Sequence, residues 1–182
     1  MGVEGPRRVL VLGCSGGGKS TVATDLAAAK GIPVLHLDRI AWRPGWRPRD
    51  IGDFLADLDA FLAKPGWVID GNHPLGFERR ARLADIAVVV EVPTAVCIWR
   101  LLRRRVRYAR RTRPSMADGC AERLRLRFLW HVIRYRSRTL PGLFADLAQA
   151  APELEVVLVG GSHFRSRNHT RGSLTHVARS LP

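Results

Sequence analysis

Apolar residues in this chain alternate between short continuous runs and longer stretches with helical spacing. The runs fall at residues 8–12, 33–37, 67–69, 86–92 and 155–159. Each is too short for a helix and is bounded by Gly, Pro or Asp, which predicts five strands. The run at 86–92 is nearly unbroken in Ile, Ala and Val, as suits a sheet covered on both faces. Between the runs, 19–30 reads as an alanine-rich helix stopped by Gly31, and 50–64 as a helix with Phe54, Leu55, Leu58, Phe61 and Leu62 on one face. Further helices are predicted at 94–110, 121–138 and 143–150, with a last one from Ser173 in the polar tail 162–182. Residues 42–48 (WRPGWRP) and 111–119 read as loops. Strands alternating with helices predict an α/β fold with a parallel sheet and right-handed crossovers.

The helix at 94–111 has a marked pattern. Val96, Trp99, Leu102, Val106 and Ala109 form one stripe, which is expected to be buried. Arg100, Arg103, Arg104, Arg107, Arg110 and Arg111 fall mostly off it and are expected on the solvated face. Trp130, in the next helix, is expected to fill core.

Length and composition narrow the class. The 182 residues suit one domain, 1–182, and 46% hydrophobic content is ordinary for a globular chain. No run of about 18 apolar residues exists, so no bilayer span and no membrane partner are expected. Arg7 and Arg8 before a four-residue apolar run and Cys14 imitate a lipoprotein signal, but the run is too short for a signal core. Cys14, Cys97 and Cys120 are odd in number and widely spaced, which points to a reducing, cytoplasmic setting without disulfides.

Charge changes the picture more. The formal net charge is +14, and residues 99–138 hold fourteen arginines against only Asp118 and Glu122. Such a segment must face something anionic, either nucleotide phosphates or a nucleic acid contacted through residues 100–138. Tyr108, Trp130 and Tyr135 could stack on bases, although no known nucleic-acid module is present.

The sharpest chemical signal is Gly13-Cys14-Ser15-Gly16-Gly17-Gly18-Lys19-Ser20, with Thr21 following. It satisfies G-x-x-x-x-G-K-[ST] between a predicted strand and a predicted helix, the setting of a phosphate-binding P-loop. Backbone amides of the glycines converge on an anion, Lys19 reaches the β- and γ-phosphates of ATP, and Ser20 coordinates Mg²⁺. Cys14 sits at a helix N-terminus, where a thiol pKa can fall. No Asn-Lys-x-Asp guanine-reading motif exists, and the chain is short for a motor or a transporter ATPase. A small kinase fits the length, and needs a lid that excludes water. His163, His169 and His176 have no zinc-site spacing.

The P-loop, HLD at 36–38, W-x-P-G-W at 42–46, WVIDGN at 67–72 and RTRPSMADGCAER at 111–123 together resemble the adenylate-kinase-like topology modulation protein family. The resemblance covers roughly residues 8–145. It implies a P-loop NTPase fold of the nucleoside/nucleotide kinase type. Its five-stranded parallel sheet would have order 2-3-1-4-5, helices on both faces, ATP with Mg²⁺, and an Arg-rich lid near 108–122. The tail, with Gly160-Gly161 and its histidines, departs from that pattern.

The resemblance also suggests roles for site residues. Asp38 ends the second strand, where it would face the acceptor and take or orient a hydroxyl proton; alternatively it pairs with Arg39 or caps a turn. Asp70 would lie beside the P-loop strand and support the metal, or merely form an Asp-Gly turn. Trp42 and Trp46 either wall the acceptor pocket or anchor their loop. Asn72 and one arginine among Arg79, Arg80 and Arg82 are further expected acceptor contacts. Arg107, Arg110, Arg111 and Arg113 are the lid candidates for stabilising the transferring phosphoryl group. The acceptor is a nucleoside, a nucleotide or another small hydroxyl or phosphate compound. The rival reading is an ATP-binding regulator that engages DNA or RNA through its Arg-rich helices.

Overall fold

The computed structural model describes residues 6–109, 111–160 and 165–166. Its centre is a sheet built on β1 (Arg8–Gly13), flanked in parallel by β5 (Trp67–Asp70) and β6 (Ile86–Val90). β2 (Val34–His36) extends the sheet beyond β5, and β7 (Glu155–Val159) extends it beyond β6, both parallel. A two-residue strand, β8 (Arg165–Ser166), pairs antiparallel with β7 at the edge. The order is therefore β2-β5-β1-β6-β7-β8. This differs from the expected five-stranded 2-3-1-4-5 sheet. An antiparallel strand is added at one edge. A separate hairpin, β3 (Trp42–Arg43) with β4 (Arg47–Pro48), also intervenes in the count.

The alternation of strand side chains divides the core in two. Val9 and Val11 of β1, Val68 of β5 and Val88 of β6 point to one face. There α1 (Lys19–Lys30) covers them with Ala23, Leu26 and Ala27. Leu10 and Leu12, Ile69, and Ala87 and Val89 point to the other face. That face is covered by α3 (Ile51–Leu62) through Phe54 and Leu58, by α4 (Phe77–Leu83) through Ala81, and by α5 (Thr94–Arg107) through Cys97 and Leu101. α6 (Leu126–Arg134) adds Val132, a π-helical turn over Tyr135–Thr139 adds Tyr135, and α7 (Leu140–Ala150) adds Leu143 and Leu147. Asp50 caps α3, its carboxylate accepting from the Gly52 and Asp53 amides at 2.8 and 3.4 Å.

Local structure departs from the sequence expectation at several points. Residues 42–48 form a hairpin rather than a loop, because Gly45 and Trp46 both adopt left-handed backbone (φ 79° and 65°) and reverse the chain. Two short helices had no counterpart in the periodicity, α2 (Leu37–Ala41) and α4. Residues 121–125 are not helical; the Glu122 amide donates to Arg111 O at 3.2 Å and draws this stretch into the preceding loop.

The largest departure concerns α5. Its apolar stripe faces outward: Trp99, Leu102 and Val106 are exposed, and the residues that pack inward are Cys97 and Leu101. Trp130 of α6 is likewise exposed rather than core. The predicted tail helix from Ser173 lies outside the described residues.

Leu10→Ala, at the fully buried centre of the sheet, is expected to lower unfolding free energy by about 2–5 kcal/mol, and Val106→Ala by less than about 0.5 kcal/mol. Urea unfolding followed by circular dichroism distinguishes the two; a comparable loss in both would place Val106 in a packed environment.

Candidate functional site

The strand–loop–helix unit from β1 to α1 has the backbone that a phosphate cradle requires. A Cβ at Gly13 (φ 134°) would lie 2.3 Å from Val90 O, and one at Gly16 (φ 83°) would lie 2.5 Å from Cys97 O. Only glycine permits this packing of the loop on β6 and α5. Gly18 begins α1 without any side-chain cap, so the amides of its first turn point toward the cavity mouth uncapped.

Asn72 fastens the loop from below. Its Oδ1 accepts from the Gly13 amide (3.1 Å), and its Nδ2 donates to Gly13 O (2.8 Å) and to the Tyr135 hydroxyl (3.1 Å). Asn72 reaches the cavity wall, but its amide is engaged in bracing the P-loop.

Lys19 Nζ donates to Cys14 O at 2.9 Å, folded back along the loop. Burial pushes its ammonium below the usual lysine value, and Asp70 and Asp38 partly offset that. The β1–β5 register pairs Val11 with Asp70, which places Asp70 beside the end of β1. Asp70 Oδ2 accepts from Ser20 Oγ at 2.7 Å and lies 2.9 Å from His36 Nδ1. Burial would raise this carboxyl, but the His36 hydrogen bond, the Lys19 charge and the Ser20 hydroxyl together hold it below the ordinary carboxylate value.

Asp70 Oδ1 is buried and has no hydrogen-bond partner. A hydroxyl and a half-satisfied buried carboxylate beside a phosphate loop form the donor set that Mg²⁺ takes together with substrate phosphates. Among the described residues no cluster of three or more His, Cys, Asp or Glu could hold a metal ion by itself.

These groups open onto a cavity of about 870 Å³. Ser15, Gly16, Gly18, Lys19, Ser20 and Thr21 form its floor, while Gly13, Cys14 and Gly17 lie behind them. Across from the floor are Asp38, at the start of α2, and both tryptophans of the hairpin. Trp42 and Trp46 meet edge to face (5.6 Å, 63°) and pack on Met116, Ala117 and Cys120. Trp46 Nε1 donates to Ala121 O (2.8 Å), and Gly45 N donates to Gly119 O (3.0 Å). The two tryptophans therefore both wall the cavity and anchor their hairpin to the 111–122 loop.

The far wall is a chain of charges. Arg104 reaches Glu122 Oε1 through Nε (2.9 Å) and Nη2 (2.7 Å). Arg113 Nε lies 3.9 Å from Glu122 Oε2, and Arg113 Nη2 donates to Asp38 Oδ2 at 2.8 Å. Asp38 thus pairs with Arg113 rather than Arg39. Arg113 Nε is buried with no hydrogen-bond partner. The wall consequently presents an unmatched cationic donor, and the floor presents the unmatched acceptor of Asp70. Arg100 adds a guanidinium at the P-loop, donating to Gly17 O at 2.9 Å.

Not every expected residue reaches this space. Arg107 stacks on Tyr108, and Arg79 pairs with Asp59 at 2.7 Å; both are exposed and outside the cavity wall. Arg111 is exposed and also outside it. Arg110, and the histidines at 163, 169 and 176, lie outside the described residues.

Other contributors escaped the sequence pattern. Arg100 and Arg104 had been counted with a solvated helix face, but lie one turn apart on the side of α5 that borders the cavity. His36 lies in the HLD stretch and Glu122 in the 111–123 stretch, without an expected role there, and Arg80 is one of the three arginines after the DGN turn where an acceptor contact is expected. Arg80 is fully buried and donates to the carbonyls of Gly71 (3.3 Å), Gly76 (3.2 Å) and His73, so it shapes the loop that carries Asn72 and His73. Burial lowers its pKa to about 10, which leaves it charged at neutral pH.

Burial and the neighbouring Cys97 push the Cys14 thiol up to about 12, opposite to the fall expected at a helix N-terminus. The side chain points back into the core rather than along the helix axis toward the anion site. Cys97 and Cys120 are also buried, and all three thiols are free. With all three thiols buried, the native chain is expected to show no fast-reacting thiol and the unfolded chain three. Thiol titration with a chromogenic disulfide checks this, and a rapid native equivalent would contradict the buried placement.

No known family model and no curated protein matches this chain. Among solved structures it is similar to a gluconokinase from Sinorhizobium meliloti 1021, at 18% identity and TM-score 0.49, with 87% of this chain and 84% of that one covered. It is also similar to a shikimate kinase from Acinetobacter baumannii in complex with shikimate, at 14% identity and TM-score 0.48, covering 97% and 90%. A shikimate kinase from Aquifex aeolicus vf5 gives 17% and 0.43, covering 86% and 87%. Likeness at this level bears on nothing beyond the outline of the fold, so function rests on the site itself.

Proposed function

We propose that this protein is a small P-loop kinase that transfers the γ-phosphoryl group of ATP to a small-molecule acceptor, a nucleoside, nucleotide or other hydroxyl or phosphate compound. The observation that carries this reading is one cavity with a complete phosphate floor and an opposing wall bearing Asp38, Arg113 and two tryptophans. A simple nucleotide-binding module has no need for the second half.

In this reading the P-loop amides and Lys19 hold the β- and γ-phosphates, and Arg100 adds charge at the loop. Ser20 and Asp70 would hold Mg²⁺, which would neutralise phosphate charge. Asp38 accepts the proton of the acceptor hydroxyl as its oxygen bonds to the γ-phosphorus and the bond to the β,γ-bridging oxygen breaks, releasing ADP. Arg113 stabilises the charge spread over the transferring group, with Glu122 keeping both Arg113 and Arg104 turned into the cavity. Trp42 and Trp46 offer flat apolar surface to an acceptor ring. The 108–122 segment, tied to the hairpin, acts as the lid that excludes water. The adenylate-kinase-like subtype, membership of the topology modulation family and a cytoplasmic location belong to this same reading. Three buried free thiols agree with a reducing compartment.

A panel of nucleosides, nucleotides, sugars and small alcohols, scored for acceptor-stimulated ADP formation, tests the assignment. At least one acceptor is expected to raise turnover well above the ATP-only rate. Lys19→Met is expected to abolish that gain with the fold intact by circular dichroism. Asp38→Asn should lower kcat by about 10²–10⁴-fold while the Kd for ATP stays within about twofold. Full activity in Lys19→Met would sink the reading, and an unchanged kcat in Asp38→Asn would remove Asp38 from proton transfer.

A further inference from the structure

α5 and α6 have cavity-side faces, but their most apolar positions lie elsewhere. Helix geometry advances about 100° per residue, so on α5 Trp99, Leu102 and Val106 form a stripe roughly half a turn from Cys97, Leu101 and Arg104. On α6, Leu126, Trp130 and Ile133 form a stripe well away from Phe128 and Val132. All six side chains are exposed: Val106 and Leu126 at 78%, Trp99 and Trp130 at 57%. The two helices pack on each other. Monomeric soluble proteins seldom leave large apolar side chains lined up along two packed helices in water without a use for them.

The surroundings are cationic. Arg103 lies over the Trp99 ring (5.4 Å) and Arg134 over the Trp130 ring (5.2 Å). Arg105, Arg107 and Arg127 are exposed on the same helices, and none of these five makes an ion pair among the described residues. Between residues 99 and 138 the only acids are Asp118 and Glu122, and Glu122 is buried against Arg104.

The geometry points to this surface as a peripheral docking face for an anionic lipid bilayer. The apolar stripes enter the headgroup–acyl boundary, the tryptophans sit at that boundary, and the arginines meet lipid phosphates. Charge complementarity selects this occupant. A second copy of the chain would set one arginine-rich rim against another. A nucleic acid would satisfy the arginines but offers no apolar layer for six exposed aliphatic and tryptophan side chains. No described helix is long and apolar enough to cross a membrane, and none is needed, because an interfacial face lies in the plane of the bilayer. The sequence expectation of no membrane partner considered spanning segments only. Since the cavity residues Arg100, Arg104 and Phe128 lie on other faces of these helices, docking leaves the site open.

Flotation of the full-length chain with vesicles of phosphatidylglycerol and phosphatidylcholine, against phosphatidylcholine alone, tests this. Binding is expected to be more than about tenfold tighter on the anionic vesicles, to weaken with salt, and to shift tryptophan emission to the blue. The exposed double variant Val106→Asp/Leu126→Asp is expected to lose more than about tenfold in vesicle binding, with circular dichroism and ATP binding unchanged. Should that variant fail to fold, Trp99→Ser/Trp130→Ser is read in its place with the same expectation. Equal or absent binding to the two vesicle types would overturn the proposal, as would undiminished binding by a folded variant. Self-association, or capture of a duplex oligonucleotide or polyglutamate, that depends on the stripe while vesicles are ignored would overturn it as well.

Discussion

The site depends on a buried carboxylate held at the junction of the P-loop and the sheet. An ionised group taken out of water is tolerated only with charge partners and hydrogen bonds, and Asp70 has Ser20, His36 and the nearby Lys19. Those three come from the first turn of α1, the end of β2 and the loop–helix junction. The pairing of Val11 with Asp70 therefore fixes more than one strand's position. A slip of one residue would turn Asp70 to the opposite face of the sheet and separate all four groups.

From that junction the remaining parts follow. β6 supplies Val90 and α5 supplies Cys97 as the backbone surfaces on which the loop glycines rest. α5 then carries Arg100 to the P-loop and Arg104 to Glu122, and Glu122 in turn lies beside Arg113, which pairs with Asp38. α5 thereby connects the loop, held by Arg100, with the Arg104–Glu122–Arg113–Asp38 chain on the opposite side of the cavity. The hairpin and the 111–122 loop share one backbone hydrogen bond, two side-chain-to-backbone bonds from Trp46 and Cys120, and an aromatic–methionine cluster, which joins them mechanically.

The sheet was legible because continuous apolar runs and their terminal Gly and Asp residues carry a strong signal. The P-loop was legible because its motif encodes a backbone requirement. Trp42 and Trp46 were reachable from their places in the turn, and Asp38 from its nearness to the second strand, although that strand ends at His36 and Asp38 falls in the first turn of α2. Arg100, Arg104 and Glu122 were not, since their roles come from contacts 18 to 83 residues away in sequence. Arg80 is expected from the sequence at the acceptor, but it is fully buried and binds the carbonyls of Gly71, His73 and Gly76, a local bracing role that residue type alone does not distinguish from ligand binding. The α5 stripe misled the reading in a physically informative way. Periodicity identifies an apolar face but not what covers it, and here the chain's own core is reached by Cys97 and Leu101.

The central claim is group transfer rather than hydrolysis or binding alone. Phosphorus NMR of the protein with ATP, Mg²⁺ and an accepted compound follows the γ-phosphorus directly. The account predicts that its resonance is replaced by that of a new phosphoryl compound together with ADP, with little inorganic phosphate. Conversion of the γ-phosphorus to inorganic phosphate alone, whatever the acceptor, would contradict it.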